Sequence, residues 1–400
     1  MKQLLKKGLL CMSASFFVCI AEGSMQKPWT ILVYVAAAND SSQRALDVLQ
    51  CIMQVGSSEN VNVIAYCTIQ EDGHQKVTKK LYIEQGALTH IGTSTVRDSG
   101  DLVALEEALQ WACLDYPSDK VAVVLWGKGS GALNRLGKPE YFKGLCYDFD
   151  TGHYLTDGDC YQAFSWAKDH LRDGKKFDII AFDANFSASI EMAYALASCA
   201  DYMVASEDVI VAEGYPYAHI LQQLAVKNLN ALDCAQLMVT VYGQDYFDSL
   251  YYTLSAIDLN ALDSLIDNCN AVAKLLEYQL MGEKGAKVKG VIKRCINKNS
   301  CPSFDQGSYI DLGQFYKNLL KNIPCLQLSK SLTKQFKPLL MRGIKLFDTI
   351  IKKNVTSNSC QQTTGLSIYF SRYSLDPSYY GLYWAQQNSS WLFFLEAFLS

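Results

Sequence analysis

Long apolar runs alternate with amphipathic stretches through most of this chain. Trp29–Ala37 (WTILVYVAA) is apolar at nearly every position, the mark of a strand buried on both faces, and Asn39-Asp40-Ser41-Ser42 supplies capping residues for a helix over Gln43–Val55. Val61–Cys67 reads as a second strand, and Val77–Ile83 (VTKKLYI) as a hairpin arm by its partial alternation. Leu102, Leu105, Ala108, Leu109 and Ala112 share one face of a helix over Asp101–Tyr116, which leads into the strand Val121–Trp126. The alternation continues with a helix around Tyr161–Lys168, a strand over Phe177–Asp183, a helical pattern at Ile190, Met192 and Tyr194, and a strand at Tyr202–Ser206. Helices come next at Tyr217–Val226 and Leu232–Tyr242, then a strand at Leu254–Leu259 and a long helix at Ala261–Leu280. Strand and helix in turn predict a mostly parallel sheet covered by helices on both faces.

From about Gly282 a polar, basic segment (GEKGAKVKGVIKR) marks a soft boundary. Beyond it, Tyr309-Ile310-Asp311-Leu312 starts a helix, Lys330–Lys352 gives one or two more, Gly365–Phe370 is a strand, and Trp384–Leu399 is a docked helix interrupted at Asn388-Ser389-Ser390. The expected organisation is a leader over 1–23, a core over 24–281 and a C-terminal extension over 282–400 packed on that core. The leader rests on Lys2, Lys6 and Lys7, the apolar Leu9–Ile20, and the small-x-small sequence Ala21-Glu22-Gly23. It predicts export to the periplasm, cell envelope or medium. Cys19 raises the alternative of a lipid anchor, which the bulky Phe16-Phe17-Val18 argues against. No later stretch is long and apolar enough to predict a membrane span.

Two strands differ from the others at their carboxyl ends. VAVVLWGKGSG ends in Gly127-Lys128-Gly129-Ser130-Gly131, and FDIIAFDANFSAS passes through Asp183-Ala184-Asn185 into a helix. Polar residues and glycines at the ends of neighbouring parallel strands predict a shared site there. These stretches closely resemble those of the clostripain-like cysteine peptidases, relatives of caspases, gingipains and legumain. The resemblance continues through Glu213-Gly214-Tyr215, Gly365–Phe370 and the closing Trp391 with its Phe-Leu pair, and so covers nearly the whole chain after the leader. It implies a three-layer α/β/α caspase-like fold with a mostly parallel central sheet and a C-terminal α/β extension.

In that family the first strand ends in Trp, a variable residue and His-Gly, the His being the general base; the second ends in Asp-Ala-Cys, the Cys being the nucleophile. Here Lys128 stands at the His position and Asn185 at the Cys position. A carboxamide has no accessible anionic form near neutral pH, and a base without a nucleophile does nothing. A Ser187–Lys128 pair is disfavoured if a helix starts near Asn185, since two residues turn Ser187 to the opposite face. Relatives cut after Arg or Lys, and the resemblance implies a pocket in which Asp183 and Glu213 supply negative charge beside Trp126 and Gly129. The alternative for Asp183 is a helix cap, and for Glu213 a solvated side chain. The expected function is therefore that of a pseudopeptidase holding a basic peptide; the alternatives are an active endopeptidase cleaving after Arg or Lys and a cysteine-rich envelope protein. Relatives are often cut by their own activity in a loop corresponding to Leu133–Phe142, which here carries Arg135 and Lys138 with Lys143 just beyond, and without a nucleophile no self-cleavage is expected.

Composition narrows the rest. The 400 residues are half hydrophobic and carry a net charge of -4, which gives no reason to expect nucleic acid as a partner. Of fourteen cysteines, Cys11 and Cys19 fall in the leader. None form a Cys-x-x-Cys pair, and Cys295 and Cys301 are spaced to staple a loop. Tyr147–Asp159 (YDFDTGHYLTDGD) brings together Asp148, Asp150, Asp157 and Asp159. Calcium is one reading, and fits the calcium dependence of some relatives; a turn leading into a helix cap is the other, which these residue types favour. No other cofactor is expected, and nothing in the sequence sets an oligomeric state.

Overall fold

The protein is described by a computed structural model covering residues 26–71, 75–131 and 144–400. The expected leader, Cys19 and the loop Leu133–Phe142 lie outside the described residues. In chain order the strands are β1 (Lys27–Ala37), β2 (Val61–Gln70), β3 (Lys76–Glu84), β4 (Ala87–Ser94), β5 (Ser118–Gly127), β6 (Phe177–Asp183), β7 (Ala200–Ala205), β8 (Thr253–Asp258), β9 (Ser303–Phe304), β10 (Tyr309–Asp311), β11 (Ile351–Thr356) and β12 (Ser367–Tyr369). Nine of these form one sheet in the order β11-β8-β7-β6-β5-β1-β2-β3-β4. Its centre, β2-β1-β5-β6-β7, is parallel, and antiparallel pairs close both edges.

Alternating side chains of the central strands build two cores. Leu32, Tyr34 and Ala36 point to one face with Val123, Leu125, Ile180 and Phe182. Ile31, Val33 and Val35 point to the other with Val124, Trp126, Ile179 and Ala181. Helices α1 (Ser42–Met53), α5 (Tyr217–Val226) and α6 (Ala231–Asp245) cover the second face. The first is covered by α2 (Leu102–Asp115), α3 (Asp157–Leu171), α4 (Ile190–Leu196) and α7 (Asp263–Leu280). Both faces of the central strands are apolar because both are buried, the condition a parallel sheet requires. The three-layer α/β/α arrangement is thus the one the sequence predicts.

Residues 282–400 extend the first core rather than forming one of their own. Helices α8 (Gly285–Cys295), α9 (Leu312–Leu326), α10 (Lys330–Ile350), α11 (Tyr383–Gln387) and α12 (Ser389–Leu399) contribute to the same buried cluster as α2 and α3. β11 completes the large sheet, while β12-β10-β9 form a small one. One element is added and two local expectations are corrected. The basic segment after Gly282 is the helix α8, whose Val288, Val291, Ile292 and Cys295 are buried and whose lysines face out. Tyr309–Asp311 is a strand, with Asp311 capping α9. The run to Lys352 leaves the helix at Ile350 and becomes an edge strand against β8.

Cys295 and Cys301 are free, buried thiols and not a staple. The loop between them is tied instead by Asn318, whose Nδ2 donates to the carbonyls of Cys295 (2.8 Å) and Ser300 (2.9 Å). Among the twelve described cysteines, all free, only Cys325 is exposed. Among the described residues no helix is long and apolar enough to cross a membrane.

Candidate functional site

The carboxyl ends of β1, β5, β6 and β7 meet in a cleft of about 160 Å³. Ser41 and Arg44 come from the turn and helix after β1, Trp126, Gly127 and Lys128 from β5, Asp183, Ala184 and Asn185 from β6, and Ile210, Val211, Ala212 and Gly214 from the segment after β7. Strand register sets this meeting, since Trp126 is level with Val35 on one side and with Asp183 on the other. The loops after β5 and β6 touch closely: a Cβ built on Gly129 would lie 2.8 Å from the Asn185 carbonyl oxygen. Gly129 is therefore the seam between the two loops, not a wall of the cleft.

Lys128 and Asn185 both line the cleft, and each is held by a neighbour. The Lys128 ammonium pairs with the Asp40 carboxylate and lies 4.8 Å from the centre of the Phe149 ring. Burial pushes the ammonium below its usual range, and Asp40 opposes that shift. Ser41 occupies the N-cap position of α1 without a side-chain cap hydrogen bond, and Asp40 is turned to Lys128 instead. Asn185 accepts the Ile210 N–H at Oδ1 (2.9 Å). Its Nδ2 meets no acceptor among the described residues.

No thiol or imidazole lines the cleft among the described residues. The cleft's hydroxyl is Ser41, 3.3 Å from an Asp40 oxygen already neutralised by an ammonium and so a poor base. Ser187 is buried and donates to the Ala184 and Asn185 carbonyls, both at 3.2 Å. The reason differs from the one the sequence suggested. No helix starts at Asn185: Phe186 has a left-handed φ of 57°, Ser189 caps α4, and residues 185–188 form a turn tied to Asp208 and Ser206. Cys146 donates its N–H to the Lys128 carbonyl, but its thiol is fully buried and pushed far up from its usual range.

Asp183 is the acidic floor of the cleft, 4% exposed. Its Oδ2 accepts the Tyr215 N–H (3.0 Å) and the Tyr217 hydroxyl (2.9 Å), while Oδ1 has no hydrogen bond among the described residues. Burial raises the carboxyl to about 6, with those two donors opposing. Asp183 is not a helix cap. Glu213 is exposed and outside the cleft lining, so the two carboxylates do not converge. Arg44 and Ser41 are cleft residues that the sequence pattern does not single out. The signal available for them was positional, since both come just after the end of a third parallel strand. Gly214 has φ 75°, and a Cβ on it would lie 2.7 Å from Asp183 Oδ2. Gly214→Ala is therefore expected to lower stability by about 1–3 kcal/mol. An unchanged urea midpoint would show that Asp183 is not packed as described.

The four aspartates of Tyr147–Asp159 are occupied by the fold. Asp148 is buried, ion-paired to Lys76 at 2.8 Å, and accepts the N–H groups of Ser99, Asp150 and Thr151. Asp150 is 3.7 Å from the same ammonium. Asp159 forms a capping box with Thr156, and Asp157 accepts the Trp384 N–H across the molecule. Carboxylates so saturated do not fit a calcium cage, and among the described residues no group of three or more His, Cys, Asp or Glu is placed to hold a metal ion.

Comparison with known proteins agrees with this arrangement. The model of the clostripain family (peptidase C11) matches residues 33–370. Clostripain of Hathewaya histolytica is 26% identical over 130 residues, a match spanning 31% of this chain and 24% of that relative. Among solved structures, an inactive zymogen C11 protease from Parabacteroides distasonis superposes with a TM-score of 0.66 at 19% identity, covering 91% of this chain and 98% of that one. A secreted C11 cysteine protease from Bacteroides thetaiotaomicron, in complex with an irreversible peptide inhibitor, gives 0.62 at 21% identity, covering 90% and 98%. At those identities the likeness concerns the fold, but the family match runs through both strand ends of the cleft and on to the small sheet, and the chain belongs to the clostripain family.

Proposed function

We propose that this protein is an exported pseudopeptidase of the clostripain family that holds the basic side chain of a peptide on Asp183 without cutting the chain. One observation carries the reading: at the two positions where the family's chemistry needs an imidazole and a thiol, an ammonium is ion-paired to Asp40 and a carboxamide is anchored on the Ile210 N–H. The retained floor supports the binding half. Asp183 Oδ1 is an acceptor with no hydrogen-bond donor among the described residues, in a cleft of about 160 Å³ walled by Trp126, and a guanidinium or ammonium would complete it. The likeness to a secreted relative and the leader-like N-terminus support export.

Purified protein incubated with Arg- and Lys-linked fluorogenic peptides is expected to show no turnover, and calorimetry with a basic peptide is expected to show binding that Asp183→Asn weakens at least about tenfold. Because burial raises Asp183 to about 6, affinity should rise with pH through that value as the carboxyl ionises and be flat in Asp183→Asn. Cleavage lost on Lys128→Ala would establish instead an active endopeptidase.

A further inference from the structure

Three polar groups lining the cleft have no protein partner for a hydrogen bond among the described residues, and together they describe a ligand. Asp183 Oδ1 is an acceptor on the buried floor. Asn185 Nδ2 is a donor, left over because Ile210 fixes the amide through Oδ1. The Arg44 guanidinium, on the exposed first turn of α1, pairs with no carboxylate among the described residues, yet lines the same cleft. Lys128 adds a second positive charge beside Arg44, offset by Asp40. One acceptor at the bottom and donors with positive charge above it are the complement of a molecule bearing a cation at one end and an anion close by.

From this juxtaposition we infer that the cleft is selective for peptides ending in a free basic residue: the terminal Arg or Lys side chain enters toward Asp183, and its α-carboxylate is taken by Arg44 and the Asn185 amide. The inference rests on the reading of Asp183 as a cation site and sharpens it. A peptide continuing past the basic residue presents to Arg44 a neutral amide, a weaker acceptor than a carboxylate and one that offers no counter-charge. A terminal carboxylate supplies both the stronger acceptor and the counter-charge. The class of reaction that makes such ligands is hydrolysis after Arg or Lys, so the ligand is the product of an endopeptidase with the specificity this chain would have if it could cut.

Calorimetry on the whole protein tests this with three synthetic peptides of one sequence: one ending in Arg with a free carboxylate, the same peptide amidated, and one with Ala in place of the terminal Arg. The free acid is expected to bind at least about tenfold tighter than the amide. Arg44→Ala, an exposed helix position, should bring acid and amide to nearly equal affinity, chiefly by weakening the acid. Asp183→Asn should weaken both together. An amide that binds as tightly as the acid, or an acid preference that survives Arg44→Ala, overturns the inference and leaves the basic-peptide reading standing. If neither Arg peptide binds better than the Ala peptide, that reading fails and the inference falls with it.

Discussion

Asp311→Ala is expected to destabilise the protein by about 3–5 kcal/mol, more than any surface substitution. Asp311 is fully buried where β10 passes into α9. Its carboxylate accepts the Gln314 N–H at 2.6 Å and the Thr364 hydroxyl at 2.8 Å, as well as the Thr364 N–H. It also faces Glu207, fully buried just after β7, whose Oε2 accepts the Gly365 N–H at 2.9 Å and whose Oε1 has no hydrogen-bond partner among the described residues. Two carboxyls buried near each other cannot both ionise cheaply, and burial together with the Asp311 charge holds a proton on Glu207, well above the usual carboxyl range. The pair joins the main sheet to the small one, so truncating Asp311 strips a helix cap and the bonds to Thr364 and leaves Glu207 facing a cavity. The sign of the pH dependence comes from the raised value. The folded state holds a proton that the unfolded chain releases near pH 4.5, so the stability this proton confers is complete below that and lost as pH rises through the folded value. Glu207→Gln supplies a neutral donor of the same shape. It should keep the fold and lessen the fall in urea midpoint as pH rises above the ordinary carboxyl range, with Asp183, Asp157 and Glu191, also raised by burial, keeping the rest of the slope. A flat profile in the unsubstituted protein would show that Glu207 is not the group holding the proton.

Much of this architecture is legible in the sequence because parallel strands buried on both faces carry an unbroken apolar signal, as β1, β5 and β6 do. The elements that escaped have physical reasons to. β4 is exposed along most of its length and so shows no alternation, while β11 carries two lysines on a sheet edge, a common way of keeping such an edge from pairing with other chains. α8 was legible: Val288, Val291, Ile292 and Cys295 fall at i, i+3, i+4 and i+7, a helical face hidden under a basic composition. The site divides in the same way. Position along a strand was enough to bring Lys128, Asn185 and Asp183 to one cleft. Their partners were not legible, because Asp40, Arg44, Ile210 and Tyr217 arrive through tertiary packing of loops that no local pattern links. Glu213 shows the limit most clearly, since its neighbour Gly214 packs on Asp183 while its own side chain faces water.

Lys128→His combined with Asn185→Cys is expected to convert an inert protein into a slow peptidase specific for Arg or Lys, at least about a hundredfold faster than either single variant. Both positions line one cleft, with the turn after β5 seamed to the turn after β6 at Gly129, so the two new side chains would open into a shared space. Asp40, now the counter-ion of the ammonium, is placed to steady an imidazolium in its stead. Asp183 would still hold the basic side chain beside the bond to be cut. The single variants should fail for different reasons. Asn185→Cys alone has a thiol in the same cleft as an ammonium paired with Asp40, a poor proton shuttle to the leaving amine; Lys128→His alone has a base and nothing to activate. Turnover of an Arg-linked fluorogenic peptide, and covalent labelling by an arginine-directed chloromethyl ketone, should therefore appear together in the double variant only. Unfolding midpoints and binding of the basic peptide separate a lost fold from lost chemistry. A double variant that folds and binds but is neither labelled nor active would mean that the two turns no longer hold the spacing hydrolysis needs, so that drift in the backbone, and not two side chains, is what silenced the site.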